Sequence, residues 1–261
     1  MIEPRYPAAV DRYVNLGRYY DIAAAKACRE EIIGRTREYK EAYGRAYHCL
    51  KAARQVELDA VSAVRGSADL GRVKRRIEGI IRRELHRKGE ETGATKRRFL
   101  GSVTHKGYVW RYDSVQTLCP KVYEVQDSFE LAAPLFARLH AAAAENGWDS
   151  IVCLSPENMN HIEHLLIPGL GLAFVTTKPD MEFPGEPFRR IRLDALAETD
   201  GKVRFCKRMA ALLRKEAIEA LGDAKGSHDM LEAVYNPYVD FEGVRTLAAL
   251  ESGRLLSYLR Q

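Results

Sequence analysis

The chain has 261 residues, of which 46% are hydrophobic, so it can bury a substantial core and extended disorder is not expected. Its five cysteines are scattered and include no C-x-x-C pair, which argues against a disulfide framework and a zinc cluster and favours the reducing cytoplasm. Proline and glycine interrupt the longest apolar run, residues 165–175, and the N-terminus lacks the apolar segment of a signal peptide. We therefore predict a soluble, cytoplasmic protein without a membrane partner.

The net charge of +5 is unevenly distributed along the chain. Residues 1–98 carry 23 Lys/Arg and 14 Asp/Glu, a balance of +9, whereas residues 99–261 carry 18 and 22, a balance of −4. A local excess of positive charge is typical of surfaces that bind nucleic acid or an acidic partner. It can equally attract the acidic half of the same molecule.

Residues 1–95 are predicted to form an extended segment followed by a helical hairpin. The stretch 21–64 lacks proline and places Ala46, Leu50 and Ala53 at alternating steps of four and three, which predicts one long helix. The sequence RGSAD at 65–69 then supplies a turn and a capping aspartate, and residues 70–87 form a second amphipathic helix. The charged stretch 86–98, which contains glycine, is the predicted linker.

Residues 96–200 are predicted to form an α/β core. Short apolar runs that favour strands are separated by two helical intervals, so the pattern indicates βαβ units in a mainly parallel sheet covered on both faces. The predicted strands are 98–103, 121–126, 150–155 and 172–177, and the predicted helices are 131–146 and 157–166.

Residues 201–261 are predicted to form a second helical hairpin, with helices at 202–235 and 241–260 joined by the turn NPYVD. This hairpin matches the first at a constant offset of 171, which pairs Leu50 with Leu221 and Asp69 with Asp240. The match indicates an internal repeat. The predicted fold class is therefore a helix-rich α/β protein with two long helical hairpins.

Four stretches of the chain carry a resemblance to a known family. They are EPRYPAAVDRYVNLGRYYD at 3–21, THKGYVWRYDSV at 104–115, HIEHLLIPGLGLAFV at 161–175 and NPYVDFEGV at 236–244. Each is similar to a structural segment of bacterial tandem P-loop proteins, labelled ATPase-like or nucleotide-kinase-like, in which two P-loop units are each followed by a helical insertion. The resemblance implies a P-loop-like core at 96–200 and the absence of the first nucleotide-binding core from this sequence.

The second P-loop of that family corresponds to a turn without P-loop chemistry. An overlay of strand and helix places Gln126 and Leu131 at the two signature glycines, Ala132 at the lysine, and Ala133 and Pro134 at the Ser/Thr pair. A phosphate loop needs those glycines, the lysine and a hydroxyl that holds magnesium. A degenerate loop that has lost conventional ATP binding is therefore predicted at Gln126, Asp127, Ser128, Phe129, Glu130, Leu131, Ala132 and Ala133.

A helix start explains the same residues without a ligand. Asp127 can accept backbone N–H groups while Glu130 binds back to the turn, as in a capping box. Pro134 is tolerated there because the first turn has no helical acceptor to lose.

Two further groups of residues are considered as binding sites, one for a metal and one for nucleic acid. A metal could bind His161 and His164 if they share a face of the predicted helix 157–166, but the family-like phrase around His164 favours a structural role, and no metal is predicted. A basic helix face that could bind phosphate backbones consists of Arg72, Arg75, Arg76, Arg82 and Arg83. Acidic residues interrupt that face and no aromatic residues are interleaved with it, so a solvated surface is the simpler interpretation.

The leading functional hypothesis is a non-catalytic, scaffold-type P-loop relative that acts through its helical arms on a protein partner or a second copy of itself. Under this hypothesis no residue is catalytic and no cofactor is expected. The first alternative is an ATPase or nucleotide kinase, using ATP and magnesium, whose active P-loop lies in a missing N-terminal segment. The second alternative is nucleic-acid binding through the basic helix at 72–88.

Overall fold

The computed structural model describes residues 12–258, so part of the first family-like stretch and the end of the last predicted helix lie outside the described residues. The chain forms two compact units. Residues 43–222 form the larger unit, and the described residues of 1–42 and 223–261 form the smaller one. None of the helices in residues 12–258 is long and apolar enough to cross a membrane.

Seven α-helices and eight strands occur within residues 12–258. The helices are α1 (Ile22–Ala27), α2 (Arg29–Ser67), α3 (Leu70–Glu84), α4 (Tyr112–Leu118), α5 (Ala133–Glu145), α6 (Gly201–Tyr235) and α7 (Phe241–Tyr258). The strands are β1 (Thr95–Arg98), β2 (Gly101–Thr104), β3 (Gly107–Trp110), β4 (Lys121–Gln126), β5 (Ser150–Ser155), β6 (Asn158–Ile167), β7 (Leu172–Thr177) and β8 (Arg189–Arg192).

Six strands of the larger unit form one mixed, mostly parallel sheet in the order β1-β5-β6-β7-β4-β8. The pairs β1/β5, β4/β7 and β4/β8 are parallel, whereas β6 is antiparallel to both β5 and β7. The mixed α/β class and the mostly parallel sheet agree with the prediction. A separate antiparallel hairpin is formed by β2 and β3.

The predicted helix at 157–166 is wrong, because this stretch is β6. Its second half, from His164 to Ile167, pairs residue by residue with β7, and all four of these residues are buried. A short run such as HLLI at 164–167 does not by itself distinguish a buried strand from a helix, and here the sheet neighbours decide. The predicted strand 98–103 is also displaced: β1 ends at Arg98, inside the predicted linker, and β2 begins at Gly101.

The sheet is covered on both faces, as the sequence predicted. One face packs against α3 and α5, and its buried residues include Ile77, Phe136 and Phe174. The other face packs against α4 and includes Val115 and Leu166. Since both faces are covered, all six residues of β7 are buried, which explains why its sequence shows no polar alternation.

Small side chains are buried at a seven-residue spacing on both α2 and α6 in the larger unit. Ala46, Ala53 and Ala60 recur every seven residues on α2, and each is at most 1% exposed. Ala210 and Ala217 on α6 are completely buried at the same spacing. The buried positions of α2 therefore follow the predicted heptad periodicity.

The smaller unit contains a short antiparallel bridge between Tyr20 and Val239. The N–H of Asp21 donates to the carbonyl of Tyr238 at 2.8 Å, and the N–H of Asp240 donates to that of Tyr19 at 2.8 Å. Both aspartates cap a helix, since Asp21 accepts from the first turn of α1 and Asp240 accepts from the first turn of α7. Asp69 caps α3 in the same way, so Asp69 and Asp240, which the internal repeat aligns, have the same local role.

Candidate functional site

The turn between β4 and α5 is closed by the carboxylate of Asp127, which is 1% exposed. Its Oδ1 accepts the N–H groups of Phe129 at 3.2 Å and Leu131 at 2.9 Å, and its Oδ2 accepts that of Ala132 at 2.7 Å. Burial raises the pKa of this carboxyl, although the three N–H donors act in the opposite direction. The backbone donors that could turn towards a phosphate in such a loop are thus occupied by a side chain of the loop itself.

Glu130 does not complete the predicted capping box. Its backbone has a φ of 54°, and its side chain binds the guanidinium of Arg54, with one of the two contacts at 3.1 Å. Arg65 donates to its carbonyl oxygen at 2.7 Å. Burial alone would raise the pKa of Glu130, but the hydrogen bonds from Arg54 and the surrounding positive charge lower it. Glu130 is therefore an anchor between the turn and α2, which a sequence-local motif could not reveal.

The remaining residues of the predicted loop are held by the fold. The N–H and hydroxyl of Ser128 donate to the two carboxylate oxygens of Asp194 at 2.6 and 2.8 Å. Phe129 is buried beneath the ammonium group of Lys207, which lies 5.1 Å from the ring centre. Leu131 and Ala132 belong to the apolar core, Gln126 ends β4 and Ala133 begins α5. The turn joins a strand to a helix, as predicted.

A cavity of about 200 Å³ lies beside this turn, between the β2–β3 hairpin, the segment after β7, and helices α2 and α6. Its charged lining is a network of ion pairs. Glu157 accepts two hydrogen bonds from Arg214, at 2.8 and 2.7 Å, and another from the hydroxyl of Tyr108. Glu57 accepts from Arg214 and from Lys207, the latter at 2.6 Å.

Glu57 is the centre of that network. Burial would raise its pKa, but the charges of Lys207 and Arg214 and their hydrogen bonds lower it to about 2. Lys207 also donates to the carbonyl of Ser128 at 2.8 Å, which connects α6 to the turn. The network fixes the position of the turn against both long helices, so a structural role accounts for these ion pairs.

The two histidines weighed as metal ligands lie on β6 and not on a helix. His164 is fully buried, accepts the N–H of Thr176 at 3.1 Å through Nδ1, and packs edge-on against Trp110. Burial lowers the pKa of both histidines, that of His164 to about 4, so His164 is neutral at pH 7. Among residues 12–258, the ligand atoms of His228, Asp229 and Glu232 on α6 lie close enough together for a metal.

The arginines of the predicted basic face are all exposed on α3. Arg76 donates to the carbonyl of Arg190 at 3.1 Å, and Arg83 donates to the hydroxyl of Tyr123 at 3.0 Å. A shallow concavity of about 110 Å³ is lined by Arg75, Arg76, Arg83 and, from β8, Arg189. The contribution of β8 was not predicted, because three arginines among the four residues 189–192 do not indicate a strand.

No protein-family model, no curated protein and no solved structure matches this chain. The resemblance to tandem P-loop proteins therefore stays a prediction.

Proposed function

We propose that this chain is a non-catalytic relative of P-loop proteins in which the turn at 127–132 is a structural joint and not a nucleotide site. The observation that supports the proposal is the carboxylate of Asp127, which accepts three backbone N–H groups of its own loop. A triphosphate would have to displace this carboxylate. It would also meet Glu130 and Asp194, and two unit charges of the same sign about 4 Å apart repel by roughly 4 kcal/mol at an effective dielectric constant of 20.

The proposed activity is that of a scaffold or interaction module. The smaller unit supports this activity because α7 has no buried residue among those described and carries a set of exposed apolar side chains. The members of this set are Phe241, Leu250, Leu255, Leu256 and Tyr258. Exposed apolar groups on one helix are typical of surfaces that bind a protein partner or a second copy of the same chain.

Calorimetric titration with Mg-ATP tests the nucleotide part of the proposal. We expect no binding at millimolar nucleotide, and no gain from Asp127→Asn, because the lysine and hydroxyls of a P-loop are also missing. The proposal would be contradicted if the wild-type chain bound Mg-ATP with micromolar affinity and this affinity changed in Asp127→Asn but not in the exposed cap variant Asp69→Asn.

Analytical ultracentrifugation tests the interaction part. If α7 mediates self-association, the wild-type chain forms a dimer or larger species and Leu255→Glu/Leu256→Glu is monomeric. A matched pair on the larger unit, Val109→Glu/Leu118→Glu, changes two exposed apolar residues and should leave the assembly unaffected. If the wild-type chain is monomeric, the same variants serve in affinity capture of a protein partner. Equal behaviour of the two double variants in both assays would refute a role for α7.

Nucleic-acid binding is a second candidate, favoured by the convergence of arginines from α3 and β8. Such a surface would bind phosphate backbones with strong salt dependence. The double variant Arg75→Glu/Arg189→Glu should abolish retention on single-stranded RNA or DNA at low salt. Lys202→Glu/Arg208→Glu makes the same charge change at exposed positions of α6 and should have a much smaller effect. Equal losses would indicate a net-charge effect and would remove this candidate.

A further inference from the structure

We propose that the concavity between α3 and β8, about 110 Å³ in volume, binds the terminal phosphate of a small phosphate monoester. This arginine concavity is lined by Arg75, Arg76 and Arg83 from α3 and by Arg189 from β8. A compact terminal phosphate is a different ligand from the phosphate backbone of the nucleic-acid candidate, although the same arginines serve both.

The lining of the arginine concavity carries charge of one sign. Besides the arginines it contains Gly79, Ile80 and Tyr123, and no carboxylate. The guanidinium groups of Arg75 and Arg189 are exposed, and they have no hydrogen bond or ion pair with any side chain or carbonyl among residues 12–258. Guanidinium groups gathered in one place repel each other, and a bound anion would supply the counter-charge that the lining lacks.

The register of the sheet explains why Arg189 is left without a counter-ion. On the parallel strands β4 and β8, Arg190 lies opposite Glu124 and Arg189 lies opposite Tyr123. Successive side chains of a strand point to opposite faces of the sheet. On one face, Arg190 donates to Glu124 at 2.7 Å. On the face that packs against α3, the corresponding position is the neutral Tyr123, so Arg189 finds no carboxylate across the strands.

The fold holds two of the guanidinium groups in place before a ligand arrives. Arg76 donates to a carbonyl of β8 at 3.1 Å, and Arg83 donates to the hydroxyl of Tyr123 at 3.0 Å and to Glu84 at 3.1 Å. Both arginines keep N–H donors that these contacts do not use. Glu84 lies outside the lining and also binds Lys121, so its charge is divided between two cations. Side chains that are already ordered lose less conformational entropy when a ligand binds.

Charge, hydrogen bonding and size select the ligand. A phosphate monoester has a charge of about −1.5 to −2 at pH 7 and offers more free oxygens than a diester, and guanidinium groups bind such oxygens in pairs. A water molecule in liquid takes up about 30 Å³, so the concavity has room for a phosphate group but not for a whole nucleotide. A strand of diesters needs cations spaced along a path, whereas here the cations converge on one point.

A solvated basic surface is the competing interpretation. β8 is the last strand of the sheet, and charged side chains on such an edge discourage pairing with another chain without any ligand. A surface of this kind attracts anions according to their net charge, without saturation and without a preference for monoesters.

The test is calorimetric titration of the full chain with phenyl phosphate, a monoester, and with diethyl phosphate, a diester, in a phosphate-free buffer of low ionic strength. We expect saturable binding of phenyl phosphate and about tenfold weaker binding of diethyl phosphate, because the diester has less charge and fewer free oxygens. Equal affinity for the two esters, or no saturable binding of either, would overturn the proposal in favour of a solvated surface.

Variants then locate the phosphate. Arg75→Gln and Arg189→Gln should each weaken the binding of phenyl phosphate about tenfold, because each removes charge-assisted hydrogen bonds. Arg208→Gln is the matched control, since it removes the same charge at an exposed position of α6 outside the concavity, and it should change the affinity about twofold or less. Equal losses in all three variants would indicate a net-charge effect and would overturn the proposal.

Gly79 allows the concavity to be filled while every arginine is kept. A Cβ at this position meets no protein atom within 4 Å, so alanine adds a methyl group to the lining without a clash. Gly79→Ala should weaken the binding of phenyl phosphate about threefold or more. Gly44→Ala, the same change at an equally open position of α2, should leave it unchanged. Both variants should raise the melting temperature, because alanine favours a helix more than glycine does.

The same variant separates this ligand from nucleic acid. Gly79→Ala should leave any retention on single-stranded RNA or DNA unchanged, because a backbone would lie across the arginines and not inside the concavity. The two candidates can therefore fail independently of each other. Unchanged affinity of Gly79→Ala for phenyl phosphate would overturn the placement of the phosphate in the concavity.

Discussion

Asp127→Ala is the perturbation that tests most directly whether the turn is held by its own carboxylate. In the wild type this side chain is 1% exposed and accepts three backbone N–H groups, from Phe129, Leu131 and Ala132. Alanine removes all three acceptors at once. Because the donors lie at a buried turn, water can replace the lost bonds only if the turn opens.

The expected cost can be scaled from an exposed helix cap of the same residue type. Asp69 accepts one N–H, from Gly71 at 2.9 Å, so Asp69→Ala should cost about 1 kcal/mol of unfolding free energy. Three charge-assisted bonds at a buried site are not additive, and we expect Asp127→Ala to cost about 3–5 kcal/mol. Asp127→Asn keeps one acceptor oxygen and opposes its amide to one N–H, so it should cost about 1–2 kcal/mol.

Urea unfolding followed by circular dichroism measures all three variants against the wild type on one scale, provided that the slope of the free energy against urea is unchanged. We expect Asp127→Ala to lower the unfolding free energy most and Asp127→Asn to lower it less. Asp69→Ala should lower it by the same amount as Asp127→Asn or by a smaller one. If Asp127→Ala costs no more than Asp69→Ala, the carboxylate is not the acceptor that closes the turn. The backbone N–H groups of the turn would then not depend on Asp127.

Three other predictions concern the long helices and the smaller unit. The pKa of Glu57 is lowered from its ordinary value of 4.5 to about 2, so its contribution of about 3 kcal/mol to the unfolding free energy is complete above pH 4.5 and is lost as the pH falls towards 2. In urea unfolding, the difference in stability between the wild type and Glu57→Gln should therefore shrink as the pH falls over that range. A difference that does not depend on pH would contradict this role of Glu57. Ala217→Leu should overpack a completely buried position of α6 and lower stability by about 1–3 kcal/mol, whereas Leu212→Ala, at a position 55% exposed, should change it by about 0.5 kcal/mol or less in the same measurement. Gly243→Ala would place a methyl group against the ring of Tyr19, so hydrogen exchange should show faster opening of the smaller unit, and unchanged exchange there would contradict the packing.

The elements that the sequence predicted well are those decided by local pattern. Strand β4, helix α5 and the two long helices follow from apolar periodicity, although the single helix predicted at 21–64 is divided at Cys28 into α1 and α2. The capping aspartate Asp69 follows from its position before an amphipathic run. The heptad spacing of Ala46 and Ala53 identified buried positions because residues seven apart lie on the same face of a helix.

The elements that the sequence misjudged are decided by partners distant along the chain. The run 161–167 is a strand because β5 and β7 pair with it on both sides, and the run 189–192 is a strand because β4 accepts it at the sheet edge. Four consecutive residues with three arginines do not indicate a strand when considered alone. β-propensity depends on the neighbours a strand finds more than on its own composition.

In the candidate site, too, contacts between neighbours in the sequence could be predicted and contacts between distant residues could not. Asp127 was predicted as a helix cap from its place between strand and helix. Its three contacts are local, but they close the turn before α5, whose N-cap is Ala132 and has no side-chain cap hydrogen bond, so the predicted cap is wrong. Glu130 was predicted to act locally too, but it binds Arg54, which lies 76 residues away along the chain. The partners of Glu163 are equally invisible to a local pattern, because Lys178 reaches it from the segment after β7.

The turn between β4 and α5 is held by carboxylates of its own unit, which accept its backbone N–H groups. Backbone N–H groups at such a turn need an acceptor whether or not a ligand is present, since buried donors without one are costly. Asp127 provides that acceptor permanently, and Glu130 and Asp194 bind the rest of the loop to α2 and to the segment after β8. Because these donors already have acceptors, a ligand at this turn would have to replace hydrogen bonds that exist, which is the physical basis of the proposed loss of nucleotide binding.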